Sequence, residues 1–231
     1  MTADADGRRG RFVVLEGIDG CGKSTQLQAL AAWLPHSGLL PPTAELRITR
    51  EPGGTALGQA LRQLLLHPPG EAAPETTAEL LLYAADRAQH VQQTIAPALE
   101  AGHWVLSDRY SGSTAAYQGH GRGLPLALID QLEQIATGGL QPDLTLWLDL
   151  PLAEASRRRG DRRGGGQSDR IEAAGEAFLA RVHQGFAQLA AERGWLPIAA
   201  DQPPEQVSAA CRQALLQRLT PQAEASAVAQ V

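Results

Sequence analysis

Arg11-Phe12-Val13-Val14-Leu15-Glu16-Gly17-Ile18-Asp19-Gly20-Cys21-Gly22-Lys23-Ser24-Thr25-Gln26 decides how the rest of this chain is read. Gly17, four residues, then Gly22-Lys23-Ser24 fits the spacing of a phosphate-binding loop, G-x-x-x-x-G-K-[ST]. That spacing also arises by chance, so its flanks carry the argument. Phe12 to Leu15 is a short apolar run of the kind that forms a strand buried on both faces. Ser24 to Leu34 then places Leu27, Leu30, Ala31 and Leu34 at helical spacing. Strand, glycine loop and helix follow in the order such a loop requires.

The physics of the loop names its working residues. Glycine tolerates φ > 0 and lets backbone N–H groups approach phosphate oxygens. The N-terminus of the following helix adds partial positive charge aimed at the same anion. Gly17, Ile18, Asp19, Gly20, Cys21, Gly22, Lys23, Ser24 and Thr25 are therefore the candidate nucleotide-binding residues. Lys23 is placed to reach the β- and γ-phosphates as a catalytic cation, and Ser24 to join a Mg²⁺ shell. Lys23 is also the only lysine of the chain, against a background of arginine. A compact ammonium on a flexible stem is kept at the one site that needs it.

The totals narrow the class. The 231 residues suit one α/β domain with an ample core. A net charge of −5 argues against an extended nucleic-acid surface. Cys21 and Cys211 are the only cysteines, which supports neither a disulfide framework nor a CxxC metal or redox site and fits a reducing cytoplasm. Met1 to Gly10 lacks the apolar core of a signal peptide, and no apolar run reaches membrane-spanning length. The domain is expected over residues 11–219, with 1–10 and 220–231 as flexible tails.

Further along, Glu45 to Thr49 reads as a second strand ending in the turn sequence Arg50-Glu51-Pro52-Gly53-Gly54. Thr55 is placed to cap a helix whose stripe is Leu57, Leu61, Leu64 and Leu65. Glu75 to Glu100 reads as one long helix kinked near its end by Pro97. Asp86-Arg87 lies inside it, where an arginine is ordinarily solvated. Trp104-Val105-Leu106 is a buried strand running into Ser107-Asp108-Arg109-Tyr110. Ligands of open parallel sheets gather at the carboxyl ends of strands, so Asp108 is a candidate Mg²⁺ carboxylate beside Ser24. Asp149, ending the strand that starts at Pro142, competes for that role.

Ser111 to Gly123, rich in small polar residues and with Arg122 between glycines, reads as a helix turn and a binding loop. Helices are expected at Leu126–Ile135, from Pro151, at Ala173–Arg193 and at Gln206–Leu219, with a fifth strand at Trp195–Ala199. The helix from Pro151 runs into Arg157-Arg158-Arg159-Gly160-Asp161-Arg162-Arg163-Gly164-Gly165-Gly166. A solvated loop is the plain reading. Arginines flanking a triple glycine also suit a short arginine-rich lid, about 157–170, that closes over phosphates. The alternation of elements makes the fold α/β, with a doubly wound five-stranded parallel sheet.

Taken together, Glu16 to Thr25, Thr49-Arg50-Glu51-Pro52-Gly53-Gly54-Thr55, Tyr83-Ala84-Ala85-Asp86-Arg87, Asp108-Arg109-Tyr110 with Tyr117-Gln118-Gly119, and Asp169-Arg170-Ile171-Glu172 resemble bacterial thymidylate kinase. They match in content and order over all but the tails. The resemblance implies a P-loop NTPase fold of nucleoside monophosphate kinase type. It also implies transfer of the ATP γ-phosphoryl group to dTMP with Mg²⁺, giving dTDP and ADP for dTTP biosynthesis. A cytoplasmic homodimer, with no nucleic-acid or membrane partner, is implied as well, and the helix at 75–100 is the candidate dimer face.

By motif, Arg87 and Arg109 would hold the acceptor monophosphate, a task for planar guanidinium forks, with Arg109 also serving catalysis. Tyr83 stands where the family has Phe stacked on thymine. Thr114 and Gln118 would flank the pyrimidine edge, and Tyr117 would crowd the sugar 2′ position. Asp19, Arg50 and Glu51 would lie beside the acceptor sugar or the magnesium-bound phosphates. The family divides on where a catalytic arginine resides. The relevant loop position is Gly20 here, so the resemblance assigns that arginine to the lid, with Arg159, Arg162 and Arg163 as candidates.

Such a transfer needs no essential histidine, because a phosphate oxygen is already nucleophilic and positioning with charge neutralisation dominates. The six histidines show no HExxH or paired metal spacing. Two rival readings share the phosphate loop. A kinase for another nucleotide or a deoxynucleoside would differ around Tyr83, Thr114 and Gln118. A P-loop switch protein would answer to a protein partner, but a guanine-reading N-K-x-D motif is excluded because the chain has no asparagine.

Overall fold

The computed structural model describes residues 9–70, 72–162, 170–171 and 174–220, excepting the side chains of Arg159, Asp161 and Arg162. Most of both expected tails, and the lid residues from Arg163 to Asp169, lie outside the described residues. Five strands form one parallel sheet: β1 (Phe12–Glu16), β2 (Leu46–Arg50), β3 (Trp104–Asp108), β4 (Leu144–Asp149) and β5 (Leu196–Ala199). Their spatial order is β2-β3-β1-β4-β5.

The central strand explains the layering. All five residues of β1 are buried. Phe12 and Val14 pack with Val91, Ile95 and Val105 on one face. Val13 and Leu15 pack with Leu30, Leu106 and Leu146 on the other. An apolar run without alternation is what a strand covered on both faces requires. At the margin, β2 leaves Arg47, Ile48 and Arg50 exposed, and its arginines discourage pairing with a second sheet.

Helices cover both faces. α1 (Lys23–Trp33) follows the glycine loop, and α2 (Ala56–Leu66) is capped as expected, Thr55 Oγ1 accepting the Gly58 N–H at 3.0 Å. The long helix expected at 75–100 is interrupted. α3 (Thr76–His90) passes through a π turn at Val91–Ile95 before α4 (Ala96–Glu100). Pro97 has no N–H to offer the carbonyl four residues back, and the Ala96 N–H reaches Val91 O in a wider turn.

A second departure concerns Ser111 to Gly123, read as a helix turn and a binding loop but helical through Gly121. α5 (Ser111–Thr114) continues into a π turn at Ala115–Gly121. Glycines on both sides serve packing against α8 (Glu176–Arg193): a Cβ on Gly121 would stand 2.6 Å from the Phe178 ring, and one on Gly185 of α8 2.6 Å from His120. Small residues that signalled a loop instead let two helices approach. α6 (Leu126–Thr137), α7 (Leu152–Arg162) and α9 (Pro204–Leu219) complete the cover, each near its expected place. Among the described residues no helix is long and apolar enough to cross a membrane.

One feature of register positions the site. β1 and β3 pair with Leu15 opposite Asp108, so the glycine loop and Asp108-Arg109 leave the sheet side by side.

Candidate active site

The loop after β1 depends on glycine at two points. Gly17 has φ 140°, and a Cβ there would lie 2.7 Å from Leu148 O. Gly22, with φ 96°, is the N-cap of α1 in the left-handed region. Lys23 is buried and folds back across the loop, Nζ donating to Gly17 O at 3.0 Å and Ile18 O at 3.1 Å. The Cys21 thiol is buried beneath it, and burial pushes its pKa up, so it is packing rather than a nucleophile. Thr25 lies exposed in the first turn of α1.

Ser24 and Asp108 meet. Ser24 Oγ donates to Asp108 Oδ2 at 3.2 Å, while Asp108 Oδ1 is buried without a hydrogen-bond partner. A hydroxyl beside a carboxylate that keeps one unused buried oxygen is a donor set that fits Mg²⁺, which takes few protein ligands and completes its shell with phosphate and water. Asp149, the competing candidate, faces elsewhere and pairs with His183 Nε2 at 3.1 Å. Among the described residues no group of three or more His, Cys, Asp or Glu side chains is arranged to hold a metal by itself.

Arg109 is the one non-glycine residue with positive φ among those described, at 74°. Such a backbone persists only where neighbours over-determine it. Here Glu16 does so: Oε1 accepts the N–H groups of Tyr110 and Ser113, both at 3.0 Å, and Oε2 accepts Ser113 Oγ at 2.6 Å. Burial pushes the Glu16 carboxyl up despite these bonds. The guanidinium so aimed donates to Gly17 O (2.9 Å), Ser113 Oγ (2.8 Å) and Asp19 Oδ1 (2.6 Å). It also stands 5.1 Å from the centre of the Tyr117 ring, whose hydroxyl donates to Asp19 Oδ2 at 3.1 Å. Burial alone would raise the Asp19 carboxyl, but Arg109 and Lys23 outweigh it and hold it well below the usual range.

These groups border two adjoining cavities. Gly20, Gly22, Lys23, Ser24, Arg50 and Asp108 line one, over the phosphate loop. Tyr83, Arg87, Thr114, Tyr117 and Gln118 line the other. Asp19, Glu51, Arg62 and Arg109 border both. Every substrate-side residue read from the sequence therefore lies on one of two connected spaces, with opposite charges gathered where they meet.

Arg87 is not the solvated helix arginine of the plain reading. It is buried, with Nε donating to Glu51 Oε2 at 2.8 Å and Nη1 to Thr114 Oγ1 at 2.9 Å and to Glu133. The other Glu51 oxygen takes His90 Nδ1 at 2.9 Å, and His90 Nε2 meets Thr49 Oγ1 at 2.6 Å. His90 is thus a satisfied buried histidine. Of the two arginines, Arg87 lines the inner cavity only, whereas Arg109 borders both.

Sequence reasoning missed Arg62, Glu16 and Glu79. Arg62, on α2, donates to Pro52 O at 3.0 Å and borders both cavities, yet by pattern it is only a cation beside a leucine stripe. Glu79 resembles a surface glutamate of α3, yet its carboxylate is fully buried and takes Gln118, Arg122 and Arg170. Arg122 between glycines and Arg170 in its motif were visible signals, but their shared partner was not. On the lid side, α7 presents Arg157 and Arg158, both bonded to Glu154. The side chains of Arg159 and Arg162, and all of Arg163, lie outside the described residues.

Comparison with known proteins agrees with this geometry. The family model described as Thymidylate kinase matches residues 15–211. The thymidylate kinase of Synechococcus sp. (strain RCC307) is 71% identical over 199 residues, covering 86% of this chain and 92% of the relative. That of Prochlorococcus marinus (strain MIT 9313) is 66% identical over 212 residues, covering 92% and 96%. That of Parasynechococcus marenigrum (strain WH8102) is 65% identical over 210 residues, covering 91% and 99%.

Proposed function

The chain belongs to the thymidylate kinase family, and from that premise we propose how its own residues divide the work. The reaction is transfer of the γ-phosphoryl group of ATP to dTMP, giving dTDP and ADP. The observation that carries the assignment of residues is the pair of adjoining cavities bordered in common by Asp19, Glu51, Arg62 and Arg109.

ATP phosphates occupy the loop Gly17–Thr25, where backbone N–H groups and the start of α1 face the anion. Lys23 exchanges its loop carbonyls for the β- and γ-phosphates. Ser24 and Asp108 are the residues that would hold Mg²⁺, and the ion would supply neutralisation of the negative charge on the phosphates. In the inner cavity Tyr83 takes the base face, Thr114 and Gln118 its edge, and Tyr117 the sugar. Glu51 and Thr114 fix Arg87 there. Arg109, with Arg62 beside it, holds the acceptor phosphate at the junction, and Arg50 faces the donor side. Asp19 orients Arg109 and Tyr117 together.

The acceptor oxygen attacks without a protein base. What the site supplies is alignment of two anions that repel each other, and guanidinium and ammonium charge between them. The lid arginines Arg159, Arg162 and Arg163 add transition-state charge from above. We read the domain as residues 11–219 of a cytoplasmic homodimer. Exposed Leu57 and Leu64 on α2 and Leu81 on α3, two helices in contact, support the dimer, and the free buried cysteines fit a reducing compartment.

A bisubstrate compound joining adenosine to thymidine through a phosphate chain tests this arrangement. It should bind once per chain and compete with both ATP and dTMP. Competition with ATP alone would show that the two cavities are not the two substrate sites.

A further inference from the structure

We propose that Glu79 is a positioning residue that decides which end of the Gln118 amide the acceptor cavity presents, and thereby selects a base with an N–H donor at N3. The inference rests on the reading that this cavity takes a pyrimidine nucleotide. Glu79 belongs to α3 and is fully buried, and Gln118, on the π turn after α5, is buried too. Gln118 Nε2 donates to Glu79 Oε1 at 2.7 Å. A carboxylate only accepts hydrogen bonds, so the amide must turn its nitrogen toward Glu79. Gln118 borders the cavity, and the amide end that Glu79 leaves free for the base is the carbonyl oxygen.

That orientation has a chemical consequence. Thymine and uracil carry N–H at N3 and can donate to the Gln118 carbonyl. Cytosine carries a lone pair at N3, which would face a second lone pair. A buried polar mismatch of this kind discriminates far better than a difference in shape. The anchor is itself held fast. Arg122 Nη2 lies 3.1 Å from Glu79 Oε2, and Arg170 donates to the same oxygen and to Pro74 O at 2.7 Å. Opposite charge on two sides keeps the carboxylate in place in a site without water contact. Arg170 also adjoins Ile171, which lines the cavity, so the far root of the lid is fastened to the group that orients the base reader.

A role in stability alone would lower turnover of every acceptor in parallel, so the test reads a ratio. Steady-state kcat/KM is measured for dTMP and dCMP in the wild type, Glu79→Gln, Gln118→Ala and the double variant. With Glu79→Gln the Gln118 amide is free to turn, and the preference for dTMP over dCMP falls by about tenfold, mainly through KM. Gln118→Ala lowers the same ratio comparably, and the double variant lowers it no further. The inference is overturned if both acceptors fall together at constant ratio, or if the two substitutions reduce the ratio independently. Should Glu79→Gln not fold, Glu79→Asp, which keeps the charge but draws the carboxylate back from the Gln118 amide, takes its place, an unchanged ratio being the contrary result. A wild-type protein inactive with dTMP would overturn the functional reading, and this inference with it.

Discussion

Arg109 shows how much of the site hangs on one residue. Its positive φ is tolerated because Glu16 fixes the turn behind it, and its guanidinium ties the glycine loop, Asp19 and Tyr117 together. Asp86 is a buried counterpart on α3, beside Arg87. It accepts the Gly53 N–H at 3.0 Å, and burial, then the Glu51 charge, push its carboxyl up to about 6. An unfolded chain releases that proton near pH 3.9. From about pH 4 to about pH 6 the folded state therefore binds the extra proton, and stability falls as pH rises through that window. Asp86→Asn keeps the acceptor and removes the charge. In urea unfolding the wild type should lose about 2 kcal/mol relative to Asp86→Asn between about pH 4 and pH 7. A difference that stays constant over that range contradicts the assignment.

Residues differ in how legible they were, for a physical reason. Lys23, Ser24 and their glycines are local: spacing alone sets their geometry. Asp108 needed only the rule that ligands gather at strand ends, while Arg109 was legible through its motif, Asp108-Arg109-Tyr110. Glu16, Arg62 and Glu79 act on partners brought close by strand pairing and helix packing, such as Leu15 opposite Asp108, which no local pattern encodes.

At the scale of elements, β1 and its loop could be read because burial on both faces leaves an unbroken apolar run. The π turns at Val91–Ile95 and Ala115–Gly121 could not, since a one-residue widening leaves the apolar spacing almost unchanged. The helix at 111–121 was legible only as a helix turn, because its glycines, Gly119 against α6 and Gly121 against α8, read as a loop. The lid is an element whose chemistry is tested by kinetics. Replacing Arg159, Arg162 and Arg163 together with alanine should cut kcat by about a hundredfold or more while the KM for dTMP changes by less than about threefold. Full turnover in that variant would remove the lid arginines from the mechanism.

At the scale of the whole molecule, the parallel sheet brings the same ends of three neighbouring strands to the two cavities proposed for the substrates, with opposite charges gathered at the cavity junction. The apolar side chains left on α2 and α3 belong to this scale too, Leu57 and Leu81 being 50% and 51% exposed. Light scattering should give twice the chain mass of 24.5 kDa, and Leu57→Glu with Leu81→Glu should return it to the single-chain value. A wild type that runs as one chain at micromolar concentration contradicts the dimer.

The most direct measurement is ADP release from Mg·ATP with dTMP, dUMP, dCMP, dGMP and AMP offered separately, beside a Lys23→Ala control. Rapid turnover with dTMP is expected, with a strong preference for it over dCMP and the purine nucleotides and a loss of at least about a hundredfold in the control. Equal turnover with every acceptor, or undiminished transfer without Lys23, would contradict that expectation.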